Sequence, residues 1–142
     1  MKGEKRTILV AEDEPDIMRL YEVLLSTAGY NTLLANDGAA ALELLGNGND
    51  ISLAVFDEWM PRRGDGMRLT RTIKTNPKYK QYKDLPIIII GAGYNGSGRD
   101  EEESAIEAGA NCYMKKPFEH KELLLKIKEL LGEKPPERAE RY

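Results

Sequence analysis

Four side chains in this sequence could do chemistry together. Glu12 and Asp13 stand side by side in the run VAEDE, Asp57 ends the run AVFD, and Lys116 lies in YMKKPF. Three carboxylates and one ammonium, without a histidine or cysteine partner, suit a hard divalent cation. Like charges drawn together are unfavourable unless a cation or a positive side chain compensates them. Mg2+ fits such a set because it keeps several waters and needs only one or two direct carboxylates. A cation beside an exposed carboxylate and an ammonium forms a receptacle for a phosphoryl group. Metal and lysine would neutralise the equatorial oxygens while Asp57 attacks, giving an acyl phosphate. Taken singly, each residue is an ordinary loop acid or base, so the case depends on the fold bringing them to one place.

The hydrophobic pattern predicts that it does. Thr7–Ala11, Tyr30–Ala35, Ile51–Phe56, Pro86–Ile90 and, more weakly, Asn111–Met114 are apolar runs of strand length. Between them the period changes to that of a helix. From Asp16 onward, Ile17, Leu20, Leu24 and Leu25 share one face, with Gly29 as C-cap. Asp37 caps a helix over 38–45, with Ala40, Ala41, Leu44 and Leu45 inward. A third helix starts near Asp65 or Gly66, runs to about Lys74 and is stopped by Asn76-Pro77, after which Lys78–Asp84 reads as a polar connection. Helices over Asp100–Ala108, closed by Gly109, and Glu119–Leu131 complete the series. The last carries Leu123, Leu124, Ile127, Leu130 and Leu131 on one side. Strands apolar on both faces and separated by helices require a parallel sheet covered on both sides. The expected fold is therefore a doubly wound, three-layer α/β/α structure, flavodoxin-like, with five parallel strands in the order 2-1-3-4-5. Ligands of such sheets sit beyond the carboxyl ends of the strands, where Glu12, Asp13, Asp57 and Lys116 all fall.

Composition narrows the class. The chain has 142 residues, enough for one domain over 1–131 and a disordered tail or linker start over 132–142, where EKPPERAERY shows no apolar periodicity. No apolar run approaches the roughly 18 residues of a membrane span, and no signal-peptide hydrophobic segment is present. One cysteine rules out an internal disulfide framework and suits a reducing cytosol. The net charge of -3, from 21 basic and 24 acidic residues, advertises no nucleic-acid surface. The expectation is a soluble cytoplasmic protein.

The sequence resembles the receiver domain of bacterial two-component response regulators. The matching pieces are ILVAEDEPDIMRLYEVLLSTAGY, AVFDEWMPRRGDGMRLTRTI, LPIIIIGA and EAGANCYMKKPF, in this order. The resemblance implies that Asp57 is the phosphoacceptor, charged by a sensor histidine kinase or a histidine phosphotransfer protein. It implies that Asp13 binds Mg2+ directly, that Glu12 holds the ion partly through water, and that the Trp59 backbone carbonyl completes the protein ligands. Lys116 would contact the phosphoryl group, and the peptide before Pro117 is often cis in this family. Tyr113 matches the aromatic switch position. The last helix, with the fourth helix and fifth strand, is often the association face, so a monomer or a weak dimer strengthened by phosphorylation is expected. Catalysis would extend at most to Mg2+-dependent self-phosphorylation and dephosphorylation.

One expected group is missing. Where the family places Thr or Ser at the end of the fourth strand, this chain has Gly91, followed by the usual small residue, Ala92. A donor to the phosphoryl group is lost, which leaves phosphorylation plausible and weakens coupling to Tyr113. An alternative reading follows from the same residue: a pseudo-receiver, an interaction module that keeps the fold without using phosphate. Other signals are discounted. Gly91, Gly93 and Gly96 spell GxGxxG, but after the fourth strand and with too little chain beyond for a dinucleotide unit. Cys112 reads as a small hydrophobe and His120 as a surface residue. Trp59 would shield the site from water, Tyr94 could cover the same mouth, and Ser97 could offer a substitute hydroxyl.

Overall fold

In the computed structural model, which describes residues 5–93 and 100–134, each apolar run becomes a strand. β1 (Thr7–Ala11), β2 (Asn31–Ala35), β3 (Leu53–Asp57), β4 (Ile87–Gly91) and β5 (Cys112–Lys115) form one sheet in the order β2-β1-β3-β4-β5. Every neighbouring pair is parallel, as the apolar pattern requires. The crossovers are α1 (Pro15–Thr27), α2 (Gly38–Gly46), α3 (Asp65–Thr75) and α4 (Glu101–Ala108), and α5 (His120–Leu131) follows β5.

Alternation along the strands divides the core in two. Ile8, Val10, Leu53, Val55, Ile88 and Ile90 meet Tyr21 and Leu25 of α1 and Leu123 and Ile127 of α5. Leu9, Ala11, Ala54, Phe56, Ile87 and Ile89 meet α2, α3 and α4 through Ala41, Leu45, Leu69, Ile73, Ala105 and Ala108. None of these twelve strand residues is more than 1% exposed, so both faces are covered. Burying each large one contributes roughly 1.5–3 kcal/mol.

Local signals set the helix ends. The Asp37 side chain accepts from the Ala40 N–H at 2.8 Å and that of Asp100 from the Glu102 N–H at 3.0 Å. Gly109 closes α4 at φ +114°, where a Cβ would be strained.

Several boundaries and faces depart from expectation. β2 begins at Asn31 and β3 at Leu53, with Tyr30 and Ile51 buried just outside them. On α1, Leu20 is 44% exposed and Tyr21 faces the core instead, because the inward stripe runs through Ile17, Tyr21, Leu24, Leu25 and Ala28 at helical spacing and leaves Leu20 to its side. Ala40 and Leu44 are only half-buried. The expected polar connection winds into a 3-10 helix, Pro77–Tyr82. Asn76 caps it through the Lys78 N–H at 2.9 Å, and Tyr79 and Tyr82, three apart, turn inward. The Tyr82 hydroxyl donates to the carbonyls of Leu45 and Asn49 at 3.1 and 2.7 Å.

At the amino rim, Arg6 donates to the Leu131 carbonyl at 2.9 Å and lies 3.5 Å from the Glu133 carboxylate. Glu133 also accepts from the Tyr30 hydroxyl at 2.8 Å, so the end of α5 is tied to the start of β1 through Arg6 and to the start of β2 through Tyr30. Residues 135–142 of the expected tail lie outside the described residues. Among the described residues no helix is long and apolar enough to cross a membrane.

Candidate functional site

The carboxyl rim gathers the predicted residues by simple termination of strands. β1 ends at Ala11, opposite Phe56 of β3, so Glu12 and Asp13 leave the sheet beside Asp57. β5 ends at Lys115, opposite Gly91, and the Lys116 N–H donates to the Gly91 carbonyl at 2.8 Å. That bond aims the Lys116 side chain across β4, and its Nζ reaches Asp57 Oδ2 at 2.6 Å. The other oxygen, Oδ1, accepts from the Trp59 N–H at 2.8 Å. Asp57 is thus buried at 5% exposure with both oxygens held, while Lys116 stays half in solvent. Burial opposes the Lys116 charge, but the bond to Asp57 and the charges of Asp57, Glu12 and Glu14 outweigh it and raise its pKa.

Glu12 is 2% exposed. Its Oε2 accepts from the Glu14 N–H at 3.0 Å, and its Oε1, though buried, has no hydrogen-bond partner. Burial pushes its carboxyl up to about 8, with the Asp57 charge adding to the rise. Two ionised carboxylates cannot donate to each other, so a proton on Glu12 or a cation nearby would satisfy that oxygen. A buried orphan acceptor beside Asp57, with half-buried Asp13 at the same strand end, is a donor set that fits Mg2+. Among the described residues, no three His, Cys, Asp or Glu side chains are disposed to hold an ion by themselves, so backbone oxygen and water would have to complete the shell.

Around this centre the structure places three further residues: Gly66, which the sequence marks as a helix start behind the acceptor, and Glu58 and Glu101, which sequence reasoning passed over. Glu58 continues the alternation of Ala54 and Phe56, turns under α3 and is 3% exposed. Its Oε1 accepts from the Met67 N–H at 3.0 Å, and burial, with the charges of Glu101 and Asp57, pushes it up to about 7. Gly66 lies so close that a Cβ there would sit 2.5 Å from the Asp57 carbonyl oxygen. Glu101, the first residue of α4, is 2% exposed and accepts from the Gly93 N–H at 3.0 Å and from the Tyr113 hydroxyl. Of the two passed over, Glu58 carried a signal in the sequence, the strand periodicity it continues from Ala54 and Phe56.

Tyr113 lies on the α4 face, half-buried, with its hydroxyl pushed well above the ordinary value by burial and then by Glu101. Ala92 faces solvent. Trp59 is 51% exposed and stacks with Arg63, whose guanidinium carbon is 4.8 Å from the ring centroid. The Lys116–Pro117 and Met60–Pro61 peptides are cis. Tyr94 and Ser97 lie outside the described residues.

Comparisons with known proteins agree with this geometry. Residues 8–128 match the family model of the response regulator receiver domain. The response regulator MprA of Mycobacterium leprae (strain TN) is 35% identical over 132 residues, covering 93% of this chain and 54% of that protein. The chain thus spans about half the length of the curated relatives it matches. Among solved structures, a putative response regulator from Chloroflexus aurantiacus J-10-fl superposes with a TM-score of 0.76 at 30% identity, covering 91% of this chain and 99% of that one. The receiver domain of NtrX from Brucella abortus gives a TM-score of 0.71 at 35% identity, with 88% and 98% covered.

Proposed function

The chain belongs to the response regulator receiver family of two-component signalling, and on that premise we propose that Asp57 is its phosphoacceptor. The donor is the phosphohistidine of a sensor histidine kinase or of a histidine phosphotransfer protein. An Asp57 carboxylate oxygen attacks phosphorus, the P–N bond breaks, and its electron pair stays on the imidazole nitrogen. Bound Mg2+ supplies charge neutralisation for the phosphoryl oxygens. Glu12, Asp13, Asp57 and the Trp59 carbonyl are the residues that would hold it. Lys116 releases Asp57 Oδ2 and takes a phosphoryl oxygen, keeping its ammonium paired throughout. The Trp59 N–H holds Oδ1 and so fixes the orientation of the carboxyl group.

The observation that carries this reading is a buried aspartate held by a lysine at 2.6 Å beside an unpartnered glutamate oxygen. Intact mass after incubation with acetyl phosphate and Mg2+ tests it. One added phosphoryl group, absent in Asp57→Asn, is the expected result, and an unmodified mass would refute it. Gly91 favours a second reading, a pseudo-receiver that binds partners without phosphate, and the same measurement separates the two. The working setting is cytoplasmic, as a monomer or a weak dimer that phosphorylation strengthens. Sedimentation with and without a beryllofluoride mimic tests the latter, and a tight dimer indifferent to the mimic would contradict it.

A further inference from the structure

We infer that Glu101 is the positioning residue for Tyr113. Reaching across from α4, it fills the place that a side chain at 91 would hold on β4, and it turns the ring toward the site before any phosphoryl group arrives. The inference deepens the proposed function and rests on reading Tyr113 as the aromatic that responds to Asp57.

The sheet sets up the arrangement. Alternation along β4 puts Gly91 on the face of Ile87 and Ile89, beneath α4. Tyr113 pairs with Ile89 on the next strand and lies on the same face. A Cβ built on Gly91 would overlap Glu101 Oε1 and lie 2.8 Å from the Tyr113 hydroxyl and 3.0 Å from Glu101 Cδ. The space beside position 91 is therefore occupied by a carboxylate from another element. Glu101 opens a run of three glutamates, of which Glu102 and Glu103 are exposed while Glu101 is buried. A buried carboxylate needs donors, and the same Oε1 receives two, from Gly93 and Tyr113. An outward turn of the ring would strip one of them from a group that water does not reach. Tyr113 and the start of α4 therefore move together or not at all, and a hydroxyl on β4 has no part in it.

Ring NMR of the full chain labelled at tyrosine tests the inference, in the metal-free protein and with the beryllofluoride mimic and Mg2+. In the unaltered chain the Tyr113 signals should already be those of a hydrogen-bonded, inward ring and should change little with the mimic. Glu101→Gln, which keeps an acceptor oxygen, should preserve them. Glu101→Ala should shift them toward those of a mobile, solvent-facing tyrosine. Gly91→Thr should lower the melting temperature in the unaltered background, and the double variant Gly91→Thr, Glu101→Ala should largely regain it, with a Tyr113 response to the mimic that the unaltered chain lacks. Unchanged Tyr113 signals in Glu101→Ala, or an equal cost of Gly91→Thr in both backgrounds, would overturn the inference. The metal-free spectra do not depend on phosphate acceptance, and intact mass of the same samples reports acceptance separately.

Discussion

Replacing Gly66 by alanine should damage both stability and chemistry, for a reason visible in three distances. A Cβ at 66 would lie 2.5 Å from the Asp57 carbonyl oxygen, 3.0 Å from Glu58 Cα and 3.1 Å from the Asp57 carbonyl carbon. All three are backbone atoms, so no side chain can swing away. The first contact is about 0.9 Å short of ordinary van der Waals separation. Relief requires the start of α3 to withdraw from β3, or the acceptor strand to bend. Withdrawal stretches the bonds from the Gly66 N–H to the Glu58 carbonyl at 3.2 Å and from the Met67 N–H to Glu58 Oε1 at 3.0 Å. Overpacking costs about 1–3 kcal/mol, and each weakened buried hydrogen bond adds up to about 1 kcal/mol. Alanine returns up to about 1 kcal/mol of helix propensity. The net loss should be roughly 1–4 kcal/mol, a melting-temperature fall on the order of 5–15 °C for a domain of this size. Bending the acceptor strand instead displaces Asp57, and a shift on the order of 1 Å can slow a positioned reaction about 10²-fold. Urea unfolding and the rate of phosphorylation by acetyl phosphate measure the two effects. Gly46→Ala is the control, because nothing lies within 4 Å of a Cβ there, and it should be neutral or stabilising by up to about 1 kcal/mol. If Gly66→Ala unfolds at the same urea concentration as Gly46→Ala and phosphorylates at the normal rate, the packing argument fails.

Three further outcomes are expected. Lys116→Ala removes the partner of Asp57 Oδ2 and should slow phosphate acceptance by about 10²–10³-fold, so a rate within a few-fold of the parent would remove Lys116 from the reaction. Mg2+ should quench the half-exposed Trp59, and Asp13→Ala should abolish the quenching; an unaltered titration in that variant sinks the metal assignment. Glu12 has its carboxyl raised from an ordinary value near 4.5 to about 8, so the folded chain holds this proton more tightly than the unfolded chain does. Its contribution to stability is therefore fully present below about pH 4.5 and is lost as pH rises toward 8. Unfolding of the metal-free protein across that window should show a shallower decline in Glu12→Gln, and an identical slope would contradict the shift.

Much of this was legible in the sequence, because strands buried on both faces advertise themselves as unbroken apolar runs. IIII before Gly91 and TILVA before Glu12 place both a strand and its rim. Once two neighbouring strands end in acids, their convergence follows from the sheet order. What stayed hidden depends on contacts between distant segments. Gly91 shows on inspection that a hydroxyl is absent, yet nothing local to it indicates that Glu101 takes up the space. The run DEEES looks like a solvated helix start, and only one of its acids turns inward. Glu58 was easier to miss, since an acid next to an acid suggests a loop, although counting by two from Phe56's face would have sent it under α3. Tyr79 and Tyr82 failed to signal a helix because the lysines between and around them dominate the composition of that stretch.

The knot of Arg6, Tyr30, Leu131 and Glu133 brings the two ends of the folded region into contact at the rim opposite Asp57. Ends that touch can be joined, and a joined chain can be reopened elsewhere. A short Gly/Ser bridge from Glu133 to Arg6, with new termini opened at the exposed turn Asn47–Gly48, would leave every strand pairing intact. Connectivity would then change while the acceptor rim kept its geometry. The order in which the chain visits its strands is in this sense a separate property from the arrangement that holds Asp57, and a circularly permuted chain would show how far one can be altered without the other.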